Sequence, residues 1–170
     1  MHLPDFMKED WMKETEIRLS VPSEVPILLD IIITAYSPLE AILGRKPRGM
    51  LETEEKILER IENKTVYSVL YKNELIGTFT IKLKESHNLM EIQKVAIRTD
   101  MQNKGFGSYI MDSAEGILRT QEEKVALVET YGDHQRLVDF YKHREYKIIG
   151  ERLRKGNIVY LMQKELWRED

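Results

Sequence analysis

Two glycines, Gly105 and Gly107, stand where a chain could hold an anion. The stretch Val95-Ala96-Ile97-Arg98-Thr99-Asp100-Met101-Gln102-Asn103-Lys104-Gly105-Phe106-Gly107-Ser108 passes from an apolar segment through a polar turn into an amphipathic segment. A helix opening at Gly105 would present unpaired N–H groups and the positive end of its dipole to that turn. Glycines there let a phosphate approach the backbone closely, and Lys104 adds charge at the rim. The residues alone leave two readings open: a site for a phosphate-bearing ligand, or a tight strand-to-helix turn and nothing more. The nucleoside-triphosphate loop Gly-x-x-x-x-Gly-Lys-Ser/Thr and the dinucleotide loop Gly-x-Gly-x-x-Gly are both absent.

Few other side chains could carry chemistry. Glu91 opens Glu91-Ile92-Gln93-Lys94-Val95-Ala96-Ile97, and Glu129 ends an apolar run from Val125. Strict alternation puts Glu91, Gln93, Val95 and Ile97 on one face of a strand. Either glutamate could act as a base, although a strand-end glutamate is more often simply solvated. Tyr141, in His134-Gln135-Arg136-Leu137-Val138-Asp139-Phe140-Tyr141, could donate a proton or could be an ordinary core residue. With no cysteine there is no disulfide, no thiolate nucleophile and no Cys-based metal site. His87 and His143 lack partners at metal spacing and read as surface residues, so no metal is expected.

The elements that must position these residues follow from periodicity and breakers. Residues 4–13, with Leu3, Phe6, Met7 and Trp11 at helical spacing, predict a short amphipathic helix. A strand over 16–20 precedes a helix that opens at Pro22-Ser23-Glu24, is capped near Ser23 and stops before Pro38. Pro38, Gly44, Pro47 and Gly49 make 37–50 a loop with little regular structure. A helix over 52–61 follows. Strands 66–71 and 75–83 form a hairpin about Lys72-Asn73-Glu74, with Gly77 marking a bulge or a close backbone approach. Then come a strand over 91–98, a helix over 105–121, a strand over 125–130, a helix over 134–142, and a hairpin of 146–152 with 158–163. This order predicts an α/β (α+β) fold, a mixed and mostly antiparallel sheet of six to seven strands with helices on both faces.

The bulk properties narrow the function classes. The 170 residues suit one domain, 1–170, with 1–14 as a helical extension. Net charge is −3 with both signs interspersed, which argues against nucleic acid as the main partner. The apolar run Ile27–Ala35 is broken by Asp30 and too short to span a bilayer, and the start lacks a leader pattern. A cytoplasmic protein with no membrane partner is expected.

Gln102-x-x-Gly105-x-Gly107, preceded by Val95-Ala96-Ile97, resembles motif A of the GNAT acetyltransferases. The element order from about residue 15 to 164 is similar to that family's fold, which opens in a V between its two central parallel strands. The resemblance implies acetyl-coenzyme A as co-substrate, its pyrophosphate on Gln102-Asn103-Lys104-Gly105-Phe106-Gly107-Ser108 and its pantetheine arm along Val95, Ala96 and Ile97. His134 to Tyr146 resembles motif B, with Phe140, Tyr141 and Tyr146 matching. It implies that Tyr141 protonates the leaving thiolate. His134 stands where the family often has Asn, at a position that contacts the pantetheine amides. Glu145 stands where it often has Gly, and a differently shaped helix end is expected in place of a positive φ. The spacing of Glu91 resembles the catalytic glutamate of histone-type members, and that of Glu129 the catalytic glutamate of ribosomal-protein N-terminal acetyltransferases. The segment 36–50 resembles a lid loop of some small bacterial and archaeal members. It implies an acceptor site at Tyr36, Leu39, Arg45 and Arg48, with Arg45 or Arg48 pairing a carboxylate on the acceptor. The activity implied is acetyl transfer to a primary amine by direct attack. The alternative is a non-catalytic acyl-coenzyme A sensor of the same fold. A homodimer would use the N-terminal helix and the last hairpin.

Overall fold

Alternating apolar residues give seven strands: β1 (Thr15–Leu19), β2 (Val66–Tyr71), β3 (Glu74–Lys84), β4 (Leu89–Ile97), β5 (Val125–Tyr131), β6 (Lys147–Arg154) and β7 (Asn157–Glu165). In the computed structural model, which describes residues 11–167, they form one mixed sheet in the order β1-β2-β3-β4-β5-β7-β6. The helices are α1 (Val25–Tyr36), α2 (Leu39–Leu43), α3 (Glu54–Glu62), α4 (Phe106–Thr120) and α5 (Gln135–His143). Of the expected N-terminal helix, residues 11–13 are helical and the rest lies outside the described residues. No helix among the described residues is long and apolar enough to cross a membrane.

The helices cover both faces of the sheet. On one, Val25, Leu28, Ile31 and Ile32 of α1 and Ile57 and Ile61 of α3 pack on Val66, Leu70, Leu75 and Ala96. On the other, Phe106, Ile110, Met111, Ala114 and Leu118 of α4 pack on Val69, Ile76, Phe79, Ile92 and Val128. Each fully buried side chain of this size contributes about 1.5–3 kcal/mol.

Two irregularities in β4 shape the centre of the sheet. First, β4 and β5 are the parallel neighbours, and they pair only at Glu91 and Leu127. Beyond that point β5 gives β4 no ladder partner, and the sheet opens. Second, the β3–β4 register moves from Thr78↔Ala96 to Thr80↔Gln93, so β4 carries one extra residue. Lys94, with φ 55°, marks this bulge. Ile92, Val95 and Ile97 consequently reach the same hydrophobic cluster. That corrects the expectation from strict alternation: Val95 and Ile97 join Ile92, on the face opposite Glu91 and Gln93.

Other expectations also change. The segment 37–50 is more ordered than a loop: it forms α2 and leads into a 3-10 turn at Arg48–Leu51. The N-cap position of α1 falls next to Ser23, at Glu24, whose side chain makes no cap bond to α1 and instead caps the 3-10 turn Pro22–Glu24 before it. Glu24 Oε1 accepts the Val21 N–H at 2.9 Å, and its carboxylate also pairs with Arg18. Gly77 fits the close-approach reading, since a Cβ there would lie 2.9 Å from the Ala96 carbonyl oxygen.

One buried charge ties the helices to the sheet. Glu115 of α4 is 1% exposed. Its carboxylate accepts from Lys164 Nζ at 2.6 Å, Arg144 Nη2 at 3.0 Å and the Tyr146 hydroxyl at 3.1 Å. Arg144 and Tyr146 follow α5 directly, so this clamp fixes the end of α5 against α4 and β7.

Candidate active site

A cavity of about 600 Å³ occupies the opening between β4 and β5. One end is the glycine turn. The Gln102 Nε2 donates to the Ile97 carbonyl at 3.0 Å and folds the turn back on the end of β4. Gly105 has φ 95°, a conformation that a side chain would strain. Gly107 needs no special backbone; a Cβ there would meet Ile97 and Phe140 at 3.9 Å, an ordinary contact. Gly107 lies in the first turn of α4, where the N–H groups have no acceptor within the helix. Gln102, Asn103, Gly105, Gly107, Ser108, Val95, Ala96 and Ile97 all line the cavity. Lys104 and Phe106 do not. Lys104 is exposed, and Phe106 points into the core, its ring 4.6 Å from that of Trp11. Sequence reasoning missed Arg136, which lines this end and donates to Asn103 Oδ1 at 2.8 Å.

The middle holds the titratable groups. Glu91 is 8% exposed; its Oε1 accepts from Gln93 at 2.7 Å, and its Oε2 is buried without a partner. Burial, and then the neighbouring Glu129 carboxylate, push its pKa up to about 7. Glu129 differs sharply. Burial pushes it up too, but hydrogen bonds from Lys84 at 2.5 Å and Arg152 at 2.8 Å outweigh that and hold it below the usual carboxylate range.

Tyr141 also lines the cavity. It is 5% exposed, and burial pushes its phenol up to about 12. The rings of Phe140 and Tyr146 flank it edge-on at 5.4 and 5.5 Å. Behind it, α5 ends with Glu145 at φ 72°, and the Tyr146 N–H donates to the Tyr141 carbonyl at 3.0 Å. The expectation of a differently shaped helix end is thus corrected: Glu145 takes the left-handed conformation that glycine would favour. His134 precedes α5 at its N-cap. Burial and Arg136 push its pKa down, which keeps the imidazole neutral. His134 Nδ1 and Thr130 Oγ1 are buried without partners, like Glu91 Oε2, and all three residues line the cavity. Unpaired buried polar atoms cost about 1–3 kcal/mol each, which a ligand can recover.

The far end is walled by Tyr36, Leu39 and Ile42, with Arg48, Lys94, Arg152 and Arg154 around them. Gly49 lies against the Tyr36 ring so closely that a Cβ would fall 2.4 Å from it. Burial pushes the Tyr36 phenol up. Arg45 is not brought to the cavity. Its guanidinium binds Asn157 Oδ1 at 2.7 Å and the Arg154 carbonyl, pinning the 36–50 segment to the β6–β7 hairpin. Lys94 lies 3.8 Å from Glu52, which is paired with Arg60 at 2.6 Å. Burial pushes Lys94 down to about 8. Sequence reasoning missed Lys94, Arg152 and Arg154. The one local signal was the i, i+2 spacing of the two arginines on a strand.

Residues 28–146 match the acetyltransferase (GNAT) family. Among curated proteins, no sequence matches significantly. Solved structures share the fold. The PaiA N-acetyltransferase from Thermoplasma acidophilum, in complex with coenzyme A, superposes with TM-score 0.71 at 18% identity over 89% of this chain and 98% of its own. YncA from Salmonella typhimurium, with its cofactor acetyl-CoA, gives 0.70 at 12% identity over 92% and 96%. The ribosomal-protein-S18-alanine N-acetyltransferase from Escherichia coli gives 0.74 at 10% identity over 92% and 96%.

Proposed function

The chain belongs to the GNAT acetyltransferase family, and from that premise we propose that it moves an acetyl group from acetyl-coenzyme A to a primary amine by direct attack. The observation that carries this is the content of one cavity: a backbone anion site, a buried carboxyl group poised near neutral pH, and a protonated phenol.

The residues present fit the coenzyme. The first-turn N–H groups above Gly105 and Gly107, with Arg136 beside them, suit a pyrophosphate. The edge of β4 left free by β5 suits the amides of an extended arm, and the orphaned His134 Nδ1 and Thr130 Oγ1 offer further polar partners. When bound, the coenzyme supplies the acetyl group as an activated thioester. Glu91, with its pKa near 7, is substantially ionised at neutral pH and takes a proton from the amine, directly or through a water. Glu129 keeps its charge beside Glu91 and so raises the proton affinity of Glu91. Tyr141 stays protonated and gives its proton to the departing sulfur. The chain has no cysteine to carry the acetyl group between donor and amine.

A thiol-release assay with a panel of amines tests the proposal. Tyr141→Phe is expected to lower kcat about 10²- to 10³-fold while coenzyme A affinity persists. Full turnover in that variant removes Tyr141 from the mechanism. Coenzyme binding with no thiol released from any amine would instead support an acyl-coenzyme A sensor.

A further inference from the structure

We propose that the acceptor carries a carboxylate close to its amine, and that Arg48 and Arg154 bind that carboxylate. The inference rests on the acetyl-transfer reading of the same cavity and adds the class of acceptor.

Three guanidinium groups meet at the far end. Arg48 comes from the 3-10 turn after α2. Arg152 and Arg154 lie two residues apart on β6, hence on one face, and all three line the cavity. Arg48 and Arg152 are exposed and Arg154 is half-buried, so solvent screens part of their mutual repulsion and the remainder falls on Arg154. Burial, then the charges of Arg48, Arg152 and Arg45, push the Arg154 pKa down against the opposing effect of Tyr131.

Two of the four arginines are satisfied within the chain. Arg152 is paired with Glu129 at 2.8 Å, and Arg45 is bonded to Asn157 and the Arg154 carbonyl. Arg48 and Arg154 have no carboxylate partner among the described residues, and Arg154 Nε is buried without an acceptor. An anion entering here would supply what both lack, and guanidinium groups suit a carboxylate in particular.

The site lies within electrostatic reach of the base, since the Arg48 charge acts on Glu91. An acceptor with its amine at Glu91 and its carboxylate at Arg48 and Arg154 is an amino acid. Tyr36, Leu39 and Ile42 leave an apolar wall for its side chain. A polyamine would set a second cation against the same three guanidinium groups.

The test compares L-leucine with L-leucinamide and L-lysine with cadaverine, using thiol release by the unmodified chain, Arg154→Gln and Arg154→Lys. Each acid is expected to show a kcat/KM about ten- to hundredfold above its partner. Arg154→Gln should shrink that ratio about tenfold, and Arg154→Lys should retain part of it. Calorimetry of the same four compounds on the coenzyme A-loaded chain reads the site without turnover. Acid-selective binding with no thiol release supports the carboxylate site and removes the acetyl-transfer reading. Cadaverine and leucinamide turned over as well as the acids leaves acetyl transfer standing and overturns the carboxylate site. Absence of acid selectivity in both turnover and binding overturns it equally.

Discussion

The two ends of the cavity are built in different ways. The end proposed for the donor is mostly one continuous stretch, Gln102–Ser108, whose backbone N–H groups and α4 dipole supply most of its polarity, with the Arg136 side chain of α5 beside it. The end proposed for the acceptor is assembled from side chains of α1, α2, the 3-10 turn, the β4 bulge and β6. A site made of backbone needs only the right turn and can be recognised as a local motif. A site made of side chains exists only once distant segments have been brought together.

The largest test of this contrast is at Gly105. Gly105→Glu places a side chain at φ 95° and a negative charge on the anion site. We expect coenzyme A affinity by calorimetry to fall at least about a hundredfold, with the acceptor end unchanged in structure. Retained affinity would mean that the turn does not bind the coenzyme.

The clamp beneath both ends comes next. Glu115→Ala leaves Lys164 buried without its carboxylate and Arg144 with only the exposed Asp112, at 2.6 Å, which costs about 3–5 kcal/mol. Tm should fall by about 10 °C. Both ends should loosen together, because the clamp holds Tyr141 of α5 against α4. A shift under about 2 °C would show that the clamp does not support the site.

The smallest expected effect separates the two glutamates. Glu129→Gln removes the charge that helps keep the Glu91 pKa up. Since Glu91 must be ionised to accept a proton, activity rises with pH through its pKa. The rising limb of kcat/KM should therefore move below about 7 in this variant, with kcat reduced about tenfold or less. An unmoved limb would show that Glu129 does not tune Glu91.

Much of the fold was legible because alternation and amphipathic stripes are local. Three features were not. Nothing in the residue types of Lys94 or Glu145 signals φ values of 55° and 72°; the first accompanies the β3–β4 register shift and the second the Tyr146-to-Tyr141 bond that closes α5. In the segment 37–50 the breakers concealed α2: Pro38 stands at its N-cap and Gly44 ends it at φ 73°, so both bound the helix and neither interrupts it. The insertion of β7 between β5 and β6 is a long-range pairing with no local signature. It is also what carries Arg152 and Arg154 to the end proposed for the acceptor, so neither could be placed there from sequence, whereas Arg45, close to Arg48 in sequence, is turned to the β6–β7 hairpin. Within the donor motif, the positions at 104 and 106 resemble ligand contacts by sequence neighbourhood, yet the turn of α4 sends Phe106 inward and leaves Lys104 off the lining.

The most direct test is the pH profile of kcat/KM for the unmodified chain and for Glu91→Gln with the same amine. The acceptor amine contributes its own limb to both. We predict a further limb near pH 7 in the unmodified chain, absent from Glu91→Gln, whose activity is lower by about 10²- to 10³-fold. Persistence of the limb near pH 7 in Glu91→Gln, or undiminished activity, would contradict the role of Glu91 as the base.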